Sequence, residues 1–600
     1  MRLVLLAVVV ATMGCPAPVT VDGGIELGDD GGSSSGGAGG GGGSSGGGSS
    51  GGGESDAGLP PAHAPLAVGV SMQHDVFATG KVCGDCHSAS ATSSANRDEQ
   101  GRSVDLYEWW SASAMGNSAR DPLFRAVLAS EMARAPAAAD AISTICLTCH
   151  TPMAKLALEH ANALPATLAN TVYAAGAVGS LARDGISCTL CHQIQPTGLG
   201  LESSYSAGFV IGSSRQMYGP YAAPFANPMV GRTNFTPTQG QHVQQSSMCG
   251  SCHVLVTEAL TPEGVGTGHR MGEQLTYLEW RASAFSTEGG GTTPASCQDC
   301  HMPDRQDDGQ PLTTRLARRP EGGDFPPVVA RSPFSRHGFA GANTLLPKLL
   351  RQGRALLQPE ASDAALTAAE QRSRDLLRLQ TATVSVSGLK RVGARVELTA
   401  RVESRVGHKL PSGYPSRRAF LEVVVRDAAG VVVSQSGVVD AEGRLLGQNG
   451  QPLPAEVVGG PTHPHRTRVT SADEPVVWES VMSDGHGGAS FSLLGAEGFV
   501  KDNRLLPRGH RDTTVGPLST AAVGVTDADF IAGSDSVEVS LPAPSTPGRV
   551  EVRVRYQTFH PRYLDEQLVR PSPEATALRS LRTPGLLSPE LIDEVVVPFN

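Results

Sequence analysis

Five copies of one short pattern, Cys-x-x-Cys-His, govern what this chain can fold into. They run from Cys83 through Cys86 to His87, from Cys146 through Cys149 to His150, and from Cys188 through Cys191 to His192. The last two run from Cys249 through Cys252 to His253, and from Cys297 through Cys300 to His301. Ten of the eleven cysteines fall in these pairs, and histidine follows every pair at once. With 17 histidines in 600 residues, five such coincidences have odds of roughly 1 in 10⁸. Two thiols separated by two residues can add to the two vinyl groups of one porphyrin. The adjacent imidazole then reaches the iron from the same face. Structural zinc needs four ligands per ion from paired motifs; five pairs leave one over, and zinc does not require the trailing histidine. A thioredoxin-like dithiol is a single motif in a βαβ setting. The pattern therefore predicts five covalently attached haem c groups, with His87, His150, His192, His253 and His301 as proximal iron ligands.

All five motifs lie in about 270 residues between His74 and Gly341. One haem per fifty-odd residues leaves little protein to separate the porphyrins, so they are expected to lie close and to pass electrons among themselves. Porphyrins also replace apolar side chains in a core, in keeping with an aromatic content of 5%. Asp121 before Pro122 is a good helix start, and Leu123, Phe124, Val127, Leu128 and Met132 then mark one face. One echo stands out: YEWWSASAM (Tyr107 to Met115) and YLEWRASAF (Tyr277 to Phe285) share Tyr, Trp, Ala, Ser and Ala in register, each upstream of a motif. They are expected to be equivalent haem-packing helices.

A further helix is predicted from Ser362, as cap, to about Leu379. Beyond it the pattern changes to alternating or continuous valine broken by glycine turns, the signature of strands and hairpins. The predicted fold class is α plus all-β in two domains: a mostly helical and loop multihaem domain over 70–345, a helical connector over 346–381, and an all-β, sandwich-like domain over 382–600. The last contains no cysteine and cannot attach a c-type haem.

The N-terminus MRLVLLAVVVATMG has one early charge and an apolar run too short to span a bilayer, which reads as a secretory signal over 1–15. Cys15 after Gly14 is where bacterial lipoproteins carry their lipid. Residues 16–60 are rich in glycine and serine and are expected to form a flexible tether with a span of roughly 35–40 Å. The expected location is exported, periplasmic or at the cell surface, anchored to a bacterial membrane by lipid. The formal charge of −10 grows more negative by up to about ten with the haem propionates, which disfavours nucleic acid.

What occupies the far side of each iron separates a carrier from a catalyst: a second imidazole or a thioether saturates the iron, and an open face lets small molecules bind. His74, nine residues before Cys83, and His160, ten after His150, are candidates by position. His269 and Met115 are weaker ones, Phe285 standing where Met115 stands in the echo. Met302 follows a proximal histidine and cannot easily reach the opposite face. His463 and His465 read as loop residues, and Asp484 in SDGHGG as part of an Asp-Gly turn rather than a calcium loop.

The stretches QHVQQSSMCGSCH, TYLEWRASAF, SCQDCHMP, SRHGFAGAN and GHKLPSGYPSRRAFLEV resemble the multihaem c-type cytochromes related to the tetrahaem electron carrier of ammonia oxidation. MSDGHGGASFSLL and KDNRLLPRGH resemble the β-domain of that group's longer members. The resemblance implies bis-histidine haems and electron transfer. It implies distal ligands at His242, seven residues before Cys249, and at His337; His408 would reach back from the β-domain to close one haem. The expected function is electron relay through closely spaced haems to redox partner proteins, other cytochromes or a quinol-linked complex. The alternative is an oxidoreductase acting on a small nitrogen or sulfur compound at one open haem. No CxxCK motif occurs, so the lysine-ligated haem of pentahaem nitrite reductases is missing.

Overall fold

The structure, a computed structural model, describes residues 64–512 and 516–600. The expected signal peptide, Cys15 and the 16–60 tether lie outside these residues. Among the described residues no helix is long and apolar enough to cross a membrane.

Each Cys-x-x-Cys-His motif sits on or at the end of its own short helix: Gly80–His87, Ala139–His150, Cys188–Cys191, Ser246–Gly250 and Cys297–His301. Helical spacing gives this its purpose. Residues three and four apart share a helix face, so both sulfurs and the imidazole project to one side. The Pro122–Arg134 helix begins where the sequence predicts, with the Asp121 carboxylate accepting the Leu123 N–H at 2.8 Å. It does not bury a single face. Leu123 and Val127 join one cluster with Leu345, Tyr563 and Leu578, whereas Leu128 joins another with Ile142 and Leu147, flanked by Phe124 and Met132. The helix is packed on two sides because the C-terminal region lies against it.

The motif-bearing region is not only helix and loop. Leu255–Leu260 and Gly266–Gln274 form an antiparallel hairpin, and two smaller two-stranded sheets accompany it. The hairpin turn places Gly264 at φ 78°, a conformation that suits glycine, in the readable turn sequence Thr-Pro-Glu-Gly.

Helices Leu345–Gln352, Arg354–Leu357 and Asp363–Leu376 follow. Ser362 caps the last, its hydroxyl accepting the Ala365 N–H at 3.1 Å. Ser362→Ala is expected to lower stability by about 1 kcal/mol, read as a shifted denaturant midpoint with unchanged slope.

From Ala382 the chain builds two sheets. One runs Arg468–Val469, Ser534–Pro542, Arg395–Ser404, Ala382–Val392. The other centres on Val477–Ser483, Arg418–Asp427, Gly548–Gln557 and Glu590–Phe599. Alternate residues of facing strands (Val396, Leu398, Ala400 and Val402 against Val423, Val425, Val550 and Val552) make the core between them, with Trp478 fully buried. The region is nevertheless not all-β. Pro561–Leu568 and Pro573–Leu581 are helices inserted before the last strand, and both pack on Pro122–Arg134. Their starts are written in the sequence as His560-Pro561 and Ser572-Pro573, a cap followed by proline at the first helical position.

Candidate haem sites

Seven histidines, His87, His150, His192, His253, His301, His337 and His408, lie deep in the fold with protein on every side. Each nevertheless keeps accessible surface, as do the ten motif cysteines. The ten cysteines form no disulfides, and among the described residues no three His, Cys, Asp or Glu side chains converge as a metal cage. Two cysteines and a histidine on one short segment are a donor set that fits a porphyrin held by two thioethers and an imidazole. Burial lowers all seven histidines, His150, His253 and His337 to about 4. They are neutral at physiological pH, the form that binds a metal.

Two of the five motif imidazoles face a second one. The His192 and His337 ring centres are 6.2 Å apart with planes inclined 17°, and those of His301 and His408 are 6.4 Å apart and inclined 12°. Imidazoles bound at ~2.0 Å on opposite sides of one metal ion hold their ring centres about 6 Å apart. The rings are also oriented for the task. Nδ1 of His87 meets Leu316 O at 2.8 Å, that of His192 meets Tyr218 O at 2.6 Å, and that of His301 meets Ala340 O at 2.7 Å. His337 and His408 make the same contact with Ser335 O and Lys409 O, each at 2.9 Å. A carbonyl partner fixes the proton on Nδ1 and leaves Nε2 for the metal. His253 differs, its Nδ1 lying 3.2 Å from the Gln274 side-chain amide.

The motifs associate in pairs. The Cys83 and Cys188 thiols lie close enough to raise that of Cys83, and Cys297 likewise raises that of Cys249. In each pair the echoed helix is the clamp. Tyr107 of Leu106–Ser111 packs on Gly84, where a Cβ would come within 2.9 Å of its ring, and Tyr277 of Thr276–Arg281 packs likewise on Gly250 at 2.7 Å. The indole N–H of Trp110 donates to Ile186 O at 2.8 Å, and that of Trp280 donates to Ala295 O at 2.9 Å. Each acceptor stands two residues before the first cysteine of the second motif in its pair. Tyr107 and Tyr277 both donate to a carboxylate, Glu360 and Glu288 respectively. The second motif, Cys146 to His150, stands outside this arrangement. His150 has Phe124 stacked flat against it at 3.5 Å and 2°, with Nδ1 3.3 Å from Ser118 O.

The remaining candidates are placed as follows. His242 is buried, with Nε2 2.8 Å from Ile194 O and its ring edge-on to Tyr218, which leaves Nδ1 as the nitrogen free for a metal. His74 is half-buried and accepts the Val76 N–H at Nδ1, 3.3 Å away. His160 is exposed at the end of Pro152–His160, and His269 is exposed beside Glu497. Met115 is half-buried. His463 and His465 are more than loop residues: their Nε2 atoms meet Glu456 and Asp527, each at 2.7 Å. Asp484 accepts the His486 and Gly488 N–H groups in a tight turn.

A residue that sequence patterns gave no reason to single out holds the His408 loop. Glu279, fully buried on the Thr276–Arg281 helix, accepts the Lys409 N–H at 3.1 Å and the Ser412 hydroxyl at 2.5 Å, and pairs with Arg504 at 3.1 Å. Arg504 grips Asp502 with two bonds of 2.7 Å, and Asp502 also takes the buried Lys409 ammonium at 2.6 Å. Its only written signal is its place inside the echo.

Neither a protein-family model nor a curated protein sequence matches the chain. Among solved structures, a penta-heme cytochrome c552 from Thermochromatium tepidum is similar at 15% sequence identity and TM-score 0.47. The match covers 88% of this chain and 99% of that one.

Proposed function

We propose that this chain is an exported pentahaem c-type cytochrome, tethered to a bacterial membrane by lipid at Cys15, that relays electrons between redox partner proteins. In this reading a 70–345 domain carries the haems and the 382–600 domain closes part of it. The observation that supports it most is the two near-parallel imidazole pairs, each uniting a motif histidine with a histidine from far along the chain. A haem held by two imidazoles is a one-electron carrier of low potential. The chain's own residues hold the rings neutral, fix their tautomers through backbone carbonyls and enclose them. The paired motifs, 83 with 188 and 249 with 297, would bring two haems together twice over, one of each pair with a facing imidazole, and the second motif would add a fifth.

A second reading, an oxidoreductase acting on a small nitrogen or sulfur compound at one haem, draws on His150. Among the described residues no imidazole faces it, nor does one face His87 or His253, and Phe124 rather than a ligand stacks on the His150 ring. Carbon monoxide added to the reduced protein tests the two readings. A carrier leaves the spectrum unchanged; each open haem changes about one-fifth of the Soret band.

A further inference from the structure

The segment from Gly407 to Arg417 joins strand Arg395–Ser404 to strand Arg418–Asp427 and bends inward to deliver His408. Glu279 and Asp502 lock its first half through Ser412 and Lys409. Arg417 closes it, half-buried. Its guanidinium is near enough to His253 and His408 to help lower both. Nη1 stands 3.1 Å from the point where a Cβ on Gly413 would lie, and Gln274 Oε1, on the side chain that meets His253, stands 3.3 Å from the same point. Arg417 is thus wedged between the fourth and fifth motifs.

Its partners do not match its charge. Nη1 donates to Ser412 O at 2.5 Å, and among the described residues no carboxylate forms an ion pair with it. Glu279 is already taken by Lys409, Ser412 and Arg504. A guanidinium offers five N–H groups in a planar fork, and a half-buried cation without a counter-charge leaves most of them unmatched. Carboxylate is the chemistry that fits the fork, two parallel bonds at once.

We propose that Arg417 is the anion-binding residue of the paired fourth and fifth sites, receiving a haem propionate on the free edge of its guanidinium. This rests on the pentahaem reading. A fixed cation there favours the more negative, reduced centre, so its removal lowers that centre's potential.

The test is a spectroelectrochemical titration of the intact protein, Arg417→Gln and Arg417→Lys, each weighed for its haem content. With five adducts retained, Arg417→Gln is expected to move one or two of the five midpoint potentials negative and leave the others in place; Arg417→Lys restores most of the shift. A glutamine variant that loses a haem which the lysine variant keeps also supports the proposal, since the charge is what the lysine variant preserves. Five unmoved potentials, or five shifted alike, overturn it. A parent protein without covalent porphyrin overturns the pentahaem reading itself, a failure visible in the mass before any titration.

Discussion

His408→Ala is expected to turn one low-spin haem high-spin while all five remain attached. On the proposed reading the adduct would be made by Cys297 and Cys300, which the substitution does not touch, whereas the far side of that iron would be closed by the His408 ring, 6.4 Å from that of His301. Electron paramagnetic resonance of the oxidised protein counts the change directly. His408→Met offers the complementary result: a thioether in place of the imidazole raises that haem's potential, on the order of 100 mV or more, since axial ligand identity spans ~0.8 V across haem proteins. His337→Ala is expected to do the same at the third site. Because the loop carrying His408 is pinned by Glu279, the effect stays local. If His408→Ala leaves the low-spin count unchanged, the facing rings do not share a metal.

The largest expected loss of stability lies elsewhere, under strand Arg418–Asp427. Arg418 is 1% exposed in its side chain and forks onto Glu456 at 2.6 and 2.9 Å, with Nε on Gln557 at 2.7 Å. Glu456→Ala strands that guanidinium inside the fold and is expected to cost ~3–5 kcal/mol. At 2–4 °C per kcal/mol for a region of this size, that is a fall in Tm of about 10 °C. Acid acts on the same network. Burial alone would raise the Glu479 carboxyl, but the Lys501 ammonium at 2.9 Å and the neighbouring His463 outweigh it and hold the group at about 2. Glu456 is held low in the same way by Arg418 and His463. Carboxylates depressed in the folded state stabilise it fully above their unfolded value, about 4.3, and the contribution fades as pH falls through the folded value. The contribution of these two carboxylates to stability is therefore expected to be flat from pH 7 to about 5 and to drop between about 4 and 2. In Glu456→Ala that drop should shrink; an unchanged acid profile would mean the network contributes nothing.

How much of this was legible in the sequence depended on range. The motif residues were plain because their chemistry is local: five residues carry two thiols and an imidazole onto one helix face. Caps at Asp121 and Ser362 were plain for the same reason. The echo pointed to its helices, but what Tyr107, Trp110, Tyr277 and Trp280 hold is visible only once the motifs 83 and 188, and 249 and 297, lie together. The two helices after Gly548–Gln557 were written as Ser-Pro and His-Pro starts, yet surrounding valine strands dominated the pattern. His337 and His408 came through resemblance; nothing in spacing pairs His192 with a residue 145 positions later or His301 with one 107 later. Glu279 and Arg417 look like ordinary surface charges in the sequence. They matter because the Gly407–Arg417 loop folds inward, and no local signal encodes that.

The account stands on iron porphyrins bonded to ten sulfur atoms. Intact mass spectrometry of the mature protein, made in a host able to attach haem c, tests this most directly. The account predicts the polypeptide mass plus five haem increments, falling to four in a Cys188→Ala, Cys191→Ala double variant. A bare polypeptide mass would contradict it.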